Sequence, residues 1–414
     1  MPETTMPETA TTETTLRDGA LTGLRVLDIG TFIAAPFAAT LMAEHGAEVY
    51  KIELPGVGDH ARRLGTPSEA GDTLVWLSEA RNKKSVCLDL RTPEGVEILK
   101  SLVKVSDVVC ENFQAGTLEK WGIGWEELSA VNPKLILLRI SGYGQTGPYA
   151  NRPCFGRIAN AFGGISFLSG EADRPPAQPG SATLSDYMAG LFGAFAVQMA
   201  LRARDRTGHG QVIDVALYDG IFRILDEVAP AFQKGGYIRK RDGAETPIVV
   251  PHSHFPTRDE RWIAIACTND RIFGRLTRVM GQPEISDDPR YATNAARLLH
   301  RHAVNGIIAD WTASMDRDEV LDRCSKAEVP CGPVYAIDEI FEDPHYAHRG
   351  NILRVHDDRV GELAIPNVVP MMMGTPGRVN WLGPKLGSHT DEVLREVLGL
   401  TPDRIADLHA RGVV

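Results

Sequence analysis

The chain has 414 residues, 43% hydrophobic and 24% charged, with a formal net charge of −10. That length exceeds what one hydrophobic core usually fills, so two domains are expected, and the composition is that of a globular protein. The acidic balance argues against a nucleic-acid partner, which needs a basic footprint, and no uninterrupted apolar run reaches the roughly 18 residues of a membrane span.

Residues 1–20 are rich in Thr and Glu. They lack the basic start and apolar centre of a signal peptide and read as a disordered tail. A strand–helix alternation begins at Leu24. Leu24 to Asp28 reads as a buried strand, Pro36 to Glu44 as a helix opened by proline, and Glu48 to Glu53 as the next strand. Ser85 to Leu90 is strand-like, and Thr92-Pro93-Glu94-Gly95 starts a helix to about Val105. Asp107 to Glu111 is a strand, Gly116 to Val131 mostly helical, and Leu135 to Ile140 a strand ending in Ser141-Gly142-Tyr143-Gly144. Such alternation predicts an α/β fold with a parallel sheet covered on both faces, whose ligands sit at the carboxyl ends of the strands. The first turn, Gly30-Thr31-Phe32-Ile33-Ala34-Ala35, is not GxGxxG, and no Walker-type run occurs. A nicotinamide enzyme is therefore disfavoured.

A long apolar helix is predicted over 184–205, followed by the turn Arg206 to Gly210 and a strand and helix to about Phe232. The polar segment 233–246 reads as a linker or loop. A second region begins near Ile248 with Pro251-His252-Ser253-His254-Phe255 and a strand from Trp262. The six cysteines form no CxxC pair, so no zinc site or other metal site is expected, and a reduced, cytoplasmic protein follows. At the start of the long helix stands Asp186. An aspartate there can cap the helix by accepting orphan N–H groups, or serve as a nucleophile held ionised by the same groups.

Several runs together resemble one family. They are Leu27-Asp28 with Ala35-Pro36 and Lys51-Ile52-Glu53, Asn82-Lys83-Lys84-Ser85 with Leu88-Asp89-Leu90, Glu111-Asn112-Phe113 with Gly116, and Gly142 to Tyr149. Asp186 with Gly190, Thr207 to Gln211, Val329 to Val334 and Gly387-Ser388-His389-Thr390 complete the set. The chain resembles the class III coenzyme A transferases, the superfamily of formyl-CoA transferase, carnitine CoA-transferase and α-methylacyl-CoA racemase. The resemblance implies a large Rossmann-like domain and a smaller α/β domain, with the C-terminal segment returning to the large one. On this chain that means 21–232 with 343–414, and 247–335. It also implies an interlocked dimer, homomeric by expectation with a heteromer as the alternative.

The resemblance makes Asp186 the catalytic carboxylate, with a coenzyme A thioester and a small carboxylic acid as substrates and no tightly bound cofactor. For CoA it nominates Asn112, Phe113 and Lys120, with Leu88, Arg91 and the basic run containing Lys83 and Lys84 as further candidates. Gly163, Gly164, Ala189 and Gly190 are small enough to let a thioester approach; a turn or close helix packing explains the Gly-Gly pair equally well. Racemases carry a His-Asp pair where this chain has Phe155-Gly156, so one of the two bases that racemisation needs is missing. Some transferases have an acid at the Gly156 position, and its role is not carried over. Overall similarity points to transfer from succinyl-CoA to a dicarboxylate such as malate, citramalate or itaconate. The second carboxylate needs a cation, for which Arg152, Arg157, Arg239, Arg241, His252 and His254 are candidates. The glycine-rich loop that shields the intermediate in formyl-CoA transferases is absent, and the Gly235-Gly236 region is the expected substitute. The rival functions are an α-methylacyl-CoA racemase and a non-catalytic CoA-binding protein.

Overall fold

A computed structural model describes residues 19–414; residues 1–18 of the expected tail lie outside the described residues. The chain forms two units. The first holds residues 19–163, Ser181–Ile224 and Gly350–Val414; the second holds Gly164–Gly180 and Leu225–Arg349. The segment 164–180 thus leaves the large unit expected from the sequence. Backbone and side-chain bonds tie it to the second unit: Gly243 N–H donates to the Gly170 carbonyl at 3.0 Å, and Arg241 Nη1 to the Phe167 carbonyl at 3.0 Å.

The first unit is built on a six-stranded parallel sheet. Its strands are β1 (Arg25–Asp28), β2 (Glu48–Glu53), β3 (Lys83–Cys87), β4 (Val108–Glu111), β5 (Ile136–Ser141) and β6 (Gln211–Ala216), in the order β3-β2-β1-β4-β5-β6. Val, Ile and Leu at successive positions suit strands covered on both faces, and β4 and β5 are buried throughout. The order reverses between β1 and β4, which opens a crevice beyond their carboxyl ends. One face packs on Leu99, Leu102, Leu118 and Leu128, and the other on the helix Ala34–Glu44 and the long helix Leu184–Thr207.

Helix starts follow local chemistry. Thr92 caps the helix Pro93–Val103 through Gly95 N–H, with proline at the first position where no N–H is needed. The expected continuous helix over 116–131 is instead two, Thr117–Lys120 and Trp125–Val131, interrupted by Gly122 at φ 69°. Strand β3 starts two residues before the expected Ser85, because the Lys83 side chain turns inward to a buried carboxylate rather than out to water. The C-terminal segment seals this edge of the sheet. Trp381 Nε1 donates to the Lys83 carbonyl at 3.0 Å and His389 N–H to the Ser85 carbonyl at 3.0 Å, while the hairpin β10 (Ile352–Asp357) and β11 (Gly361–Pro366) packs beside Trp76 and Leu77.

The helix Leu184–Thr207 is long and apolar enough to cross a membrane by length and composition alone. Here Ala189, Gly190, Gly193, Ala194, Val197 and Ala200 recur at helical spacing on its buried side. Its opposite side shows Leu191, Phe195 and Met199, each 50–59% exposed.

The second unit carries an antiparallel sheet, β7 (His252–Pro256), β8 (Trp262–Ala266) and β9 (Cys331–Pro333), in the order β7-β8-β9. Alternation sends Ser253 and Phe255 into the core with Ile263, Ile265 and Phe273, and leaves His252 and His254 on the exposed face. All six cysteines are free thiols.

Candidate active site

The loops after β1 and β4 meet across the sheet's reversal point. Asn112, following β4, accepts Thr31 N–H at 2.7 Å through Oδ1 and donates to the Thr31 carbonyl at 2.7 Å through Nδ2. Phe32 beside it adopts φ 60°, an unusual conformation for a bulky residue, and its N–H is held by Asp59 Oδ1 at 2.9 Å. A buried charge lattice stands under this loop. Lys51 Nζ lies 2.8 Å from Asp59 and 3.4 Å from Asp28, and Lys83 Nζ lies 2.8 Å from the other Asp28 oxygen. Arg62 pairs with Glu53 at 2.7 Å and with Asp72 at 3.0 Å.

Two clefts open over these loops. A cleft of about 190 Å³ is lined by residues including Leu88, Arg91, Phe113, Trp121 and Gly58. A second, of about 430 Å³, is lined by residues including Asn112, Arg152, Cys154, Phe155 and Asp186. Thr31, His60 and Phe113 line both, so the two adjoin. The rings of Phe32 and His60 stack at 5.1 Å, and Phe155 meets Phe32 edge-on at 6.2 Å.

Asp186 is the third residue of the long helix, and Thr183 is its N-cap. The capping expectation is therefore corrected: the carboxylate sits in the first turn, where the helix dipole favours negative charge, and not at the cap itself. Burial pushes its carboxyl up to about 6, opposed by its own backbone N–H. A desolvated carboxylate gives up less hydration on attacking a carbonyl.

The sequence profile of CoA-transferase family III matches residues 21–390. The chain belongs to CoA-transferase family III. The succinyl-CoA–L-malate CoA-transferase beta subunit of Chloroflexus aurantiacus is 50% identical over 396 residues, 95% of this chain and 98% of that one. The succinyl-CoA–D-citramalate CoA-transferase of the same organism is 45% identical over 394 residues, 95% and 98% of the two chains. The fold superposes on the crystal structure of a CAIB/BAIF family protein from Brucella suis with a TM-score of 0.82 at 34% identity, covering 92% of this chain and 100% of that one.

In this CoA-transferase the structure gathers some nominated residues and separates others. Asn112, Phe113, Arg152 and Asp186 line one cleft, and Leu88, Arg91 and Phe113 line its neighbour. Arg152 stacks on the Tyr149 ring at 3.7 Å, and Arg91 is paired with Asp89 at 2.8 Å. Lys83 is a correction. Its amine is buried and donates to Asp28 and to the Pro36 carbonyl at 2.7 Å, which leaves it no phosphate to reach. Lys84 lines neither cleft, and its amine is paired with Glu48 at 3.2 Å and Glu392 at 2.8 Å. Lys120 is exposed at the end of its short helix and lines neither cleft; its neighbour Trp121 does.

Gly163 is packing rather than access: a Cβ there would meet Ile221 at 2.7 Å. Gly164 supplies a turn at φ 96°. Gly190 lies against the Ala34 carbonyl and Ala189 is fully buried, so neither opens a path for a thioester. Arg157 is exposed on the helix Gly156–Phe162 and does not line the Asp186 cleft. His252 and His254 line a separate groove on the second unit's sheet. Arg239 and Arg241 also belong to that unit, the first 3.7 Å from Asp226 and the second bonded to Phe167. Gly235 ends the helix Val228–Gly235 there, with Gly236 at φ 65°. Sequence reasoning missed Phe32, His60 and Cys154. The one local signal was the non-glycine turn after β1, which forces a side chain into the crevice.

Proposed function

We propose that this CoA-transferase moves CoA from succinyl-CoA to a dicarboxylate acceptor such as malate, citramalate or itaconate, with Asp186 as covalent catalyst. The carboxylate attacks the thioester carbonyl and expels the CoA thiolate, forming a mixed anhydride. The thiolate then attacks the aspartyl carbonyl, releasing succinate and leaving an aspartyl-CoA thioester. The acceptor carboxylate displaces the thiolate from that thioester. The thiolate attacks the acceptor's acyl carbon, which frees the Asp186 carboxylate and the new acyl-CoA. An aspartyl anhydride stays about as activated as a thioester, which a serine ester would not.

Asp186 carries this proposal: it is a desolvated carboxylate at a helix start, facing the same cleft as Asn112, Phe113 and Arg152. The adjoining cleft with Leu88, Arg91 and Phe113 suits the nucleotide, and Arg152 offers a cation to the second carboxylate of the acid. The substrates of the malate and citramalate relatives support the dicarboxylate choice. Phe155 holds a phenyl ring where racemisation would need an imidazole, which disfavours that chemistry.

A second copy of the chain, as the family resemblance implies, is the proposed cover for the exposed stripe of Leu191, Phe195 and Met199. Light scattering with Phe195→Glu tests it, a wild-type monomer being the refuting result. The activity is tested by incubating succinyl-CoA with malate, citramalate, itaconate, glutarate and acetate and separating the acyl-CoA products. Hydroxylamine trapping followed by peptide mass spectrometry should place the modification on Asp186. Deuterium exchange at Cα without movement of CoA between acids would replace this function with racemisation.

A further inference from the structure

The Asp186 carboxylate rests on a residue without a side chain. A Cβ on Gly156 would lie 2.2 Å from Asp186 Oδ2 and 2.7 Å from the Ala182 carbonyl oxygen, distances that real Cβ atoms do not show. Backbone conformation does not ask for glycine here, because Gly156 is not among the residues with positive φ. Space alone asks for it. Nor can Gly156 retreat. Ser185 Oγ donates to its carbonyl at 3.0 Å, and Asn160 Nδ2, one turn further on, donates to the Ala182 carbonyl at 3.3 Å. The helix Gly156–Phe162 is thereby tied at two points, Ala182 and Ser185, to the chain just before Asp186.

We infer that Gly156 is a positioning residue for Asp186, its bare Cα being the wall that sets the carboxylate rotamer, with Oδ2 against the chain and Oδ1 left for attack. The inference rests on the covalent role proposed above. In the packing of this chain a side chain at 156 would push the nucleophile off its seat, and a carboxylate would repel it as well.

The test is Gly156→Ala, alone and in an Asp186→Ala background. The single variant should lose about 10²-fold in kcat, the scale of a misplacement near 1 Å. Its KM for succinyl-CoA should stay within about threefold, because no CoA contact is touched. The acid limb of its pH–rate profile should move away from the wild-type position, since the carboxylate loses its packed wall. Thermal unfolding reads the contact without turnover: Gly156→Ala should lower the midpoint by more in the wild type than in the Asp186→Ala background. Should the single variant fail to fold, recovery of folding in the double variant gives the same support. Unchanged kcat, or equal penalties in both backgrounds, overturns the inference. A wild-type enzyme that transfers no CoA would instead sink the covalent role of Asp186, and the unfolding comparison would still decide the contact.

Discussion

Lys51 Nζ lies 2.8 Å from Asp59 Oδ2, and each side chain is only 1% exposed. This pair sits beneath the crevice rather than in it. The other oxygen of Asp59 accepts the N–H groups of Phe32 at 2.9 Å and Ala61 at 2.8 Å, so one carboxylate joins the β2 lysine to the loops that carry Phe32 and His60. A buried pair of this kind contributes little net stability when intact, but losing one partner strands a charge in the interior.

Asp59→Asn should therefore cost about 3–5 kcal/mol in urea unfolding at neutral pH. Burial alone would raise the Asp59 carboxyl, but Lys51 and the two N–H groups bring it below its usual value. Its contribution is present above the unfolded carboxyl pKa of about 4 and is lost as pH falls through the lower folded value. Wild type and variant should thus converge in acid. A constant gap from pH 7 down to pH 2 would contradict the assignment.

Asp186 behaves in the opposite sense. Burial raises its carboxyl to about 6, so the folded chain binds more protons than the unfolded one between roughly pH 4 and pH 6, and this group's contribution to stability falls as pH rises through that window. Asp186→Asn should abolish transfer yet raise the unfolding midpoint at pH 7, with little change at pH 4. In the wild type, kcat/KM should fall below about pH 6 with a slope of one proton. A profile flat down to pH 5 would remove the raised carboxyl from the mechanism.

Arg152 is the nominated acceptor cation that lines the Asp186 cleft. Its guanidinium lies over Tyr149 and can reach a carboxylate as a bidentate donor. Arg152→Ala should raise KM for dicarboxylate acceptors by about 10–100-fold, the equivalent of one charge-assisted hydrogen bond of about 1.5–3 kcal/mol. Acetate should be used no worse than before. Equal losses for acetate and malate would assign Arg152 to the fold or to CoA instead.

Gly190 tests the packing that holds Asp186 in place. A Cβ there would sit 2.6 Å from the Ala34 carbonyl oxygen and 3.0 Å from the Phe37 ring. Alanine gains about 1 kcal/mol of helix propensity over glycine, but an overpacked contact costs about 1–3 kcal/mol and a backbone oxygen yields little. Gly190→Ala should lower the melting temperature, whereas Gly235→Ala, with open space around it, should not. A rise at position 190 would show that the two helices have room to part.

The sequence alone determined the repeating strands of the first unit, because β4 and β5 are buried on both faces and open on the apolar runs Val108-Val109-Cys110 and Ile136-Leu137-Leu138. It also determined the family, through motifs scattered from Leu27 to Thr390, and singled out Asp186 as the residue to watch. Local patterns could not show which cations are free. Lys83, Lys84, Arg91 and Arg152 read alike along the chain, yet one is buried against Asp28, two are bound by carboxylates beside them, and one lies open over an aromatic ring. Charge pairing across β1, β2 and β3 depends on strand order and register, and no sequence window contains those. The seat of the nucleophile was equally hidden. Gly156 and Asp186 stand thirty positions apart, and only the crossing of their two helices brings a bare Cα against a carboxylate oxygen.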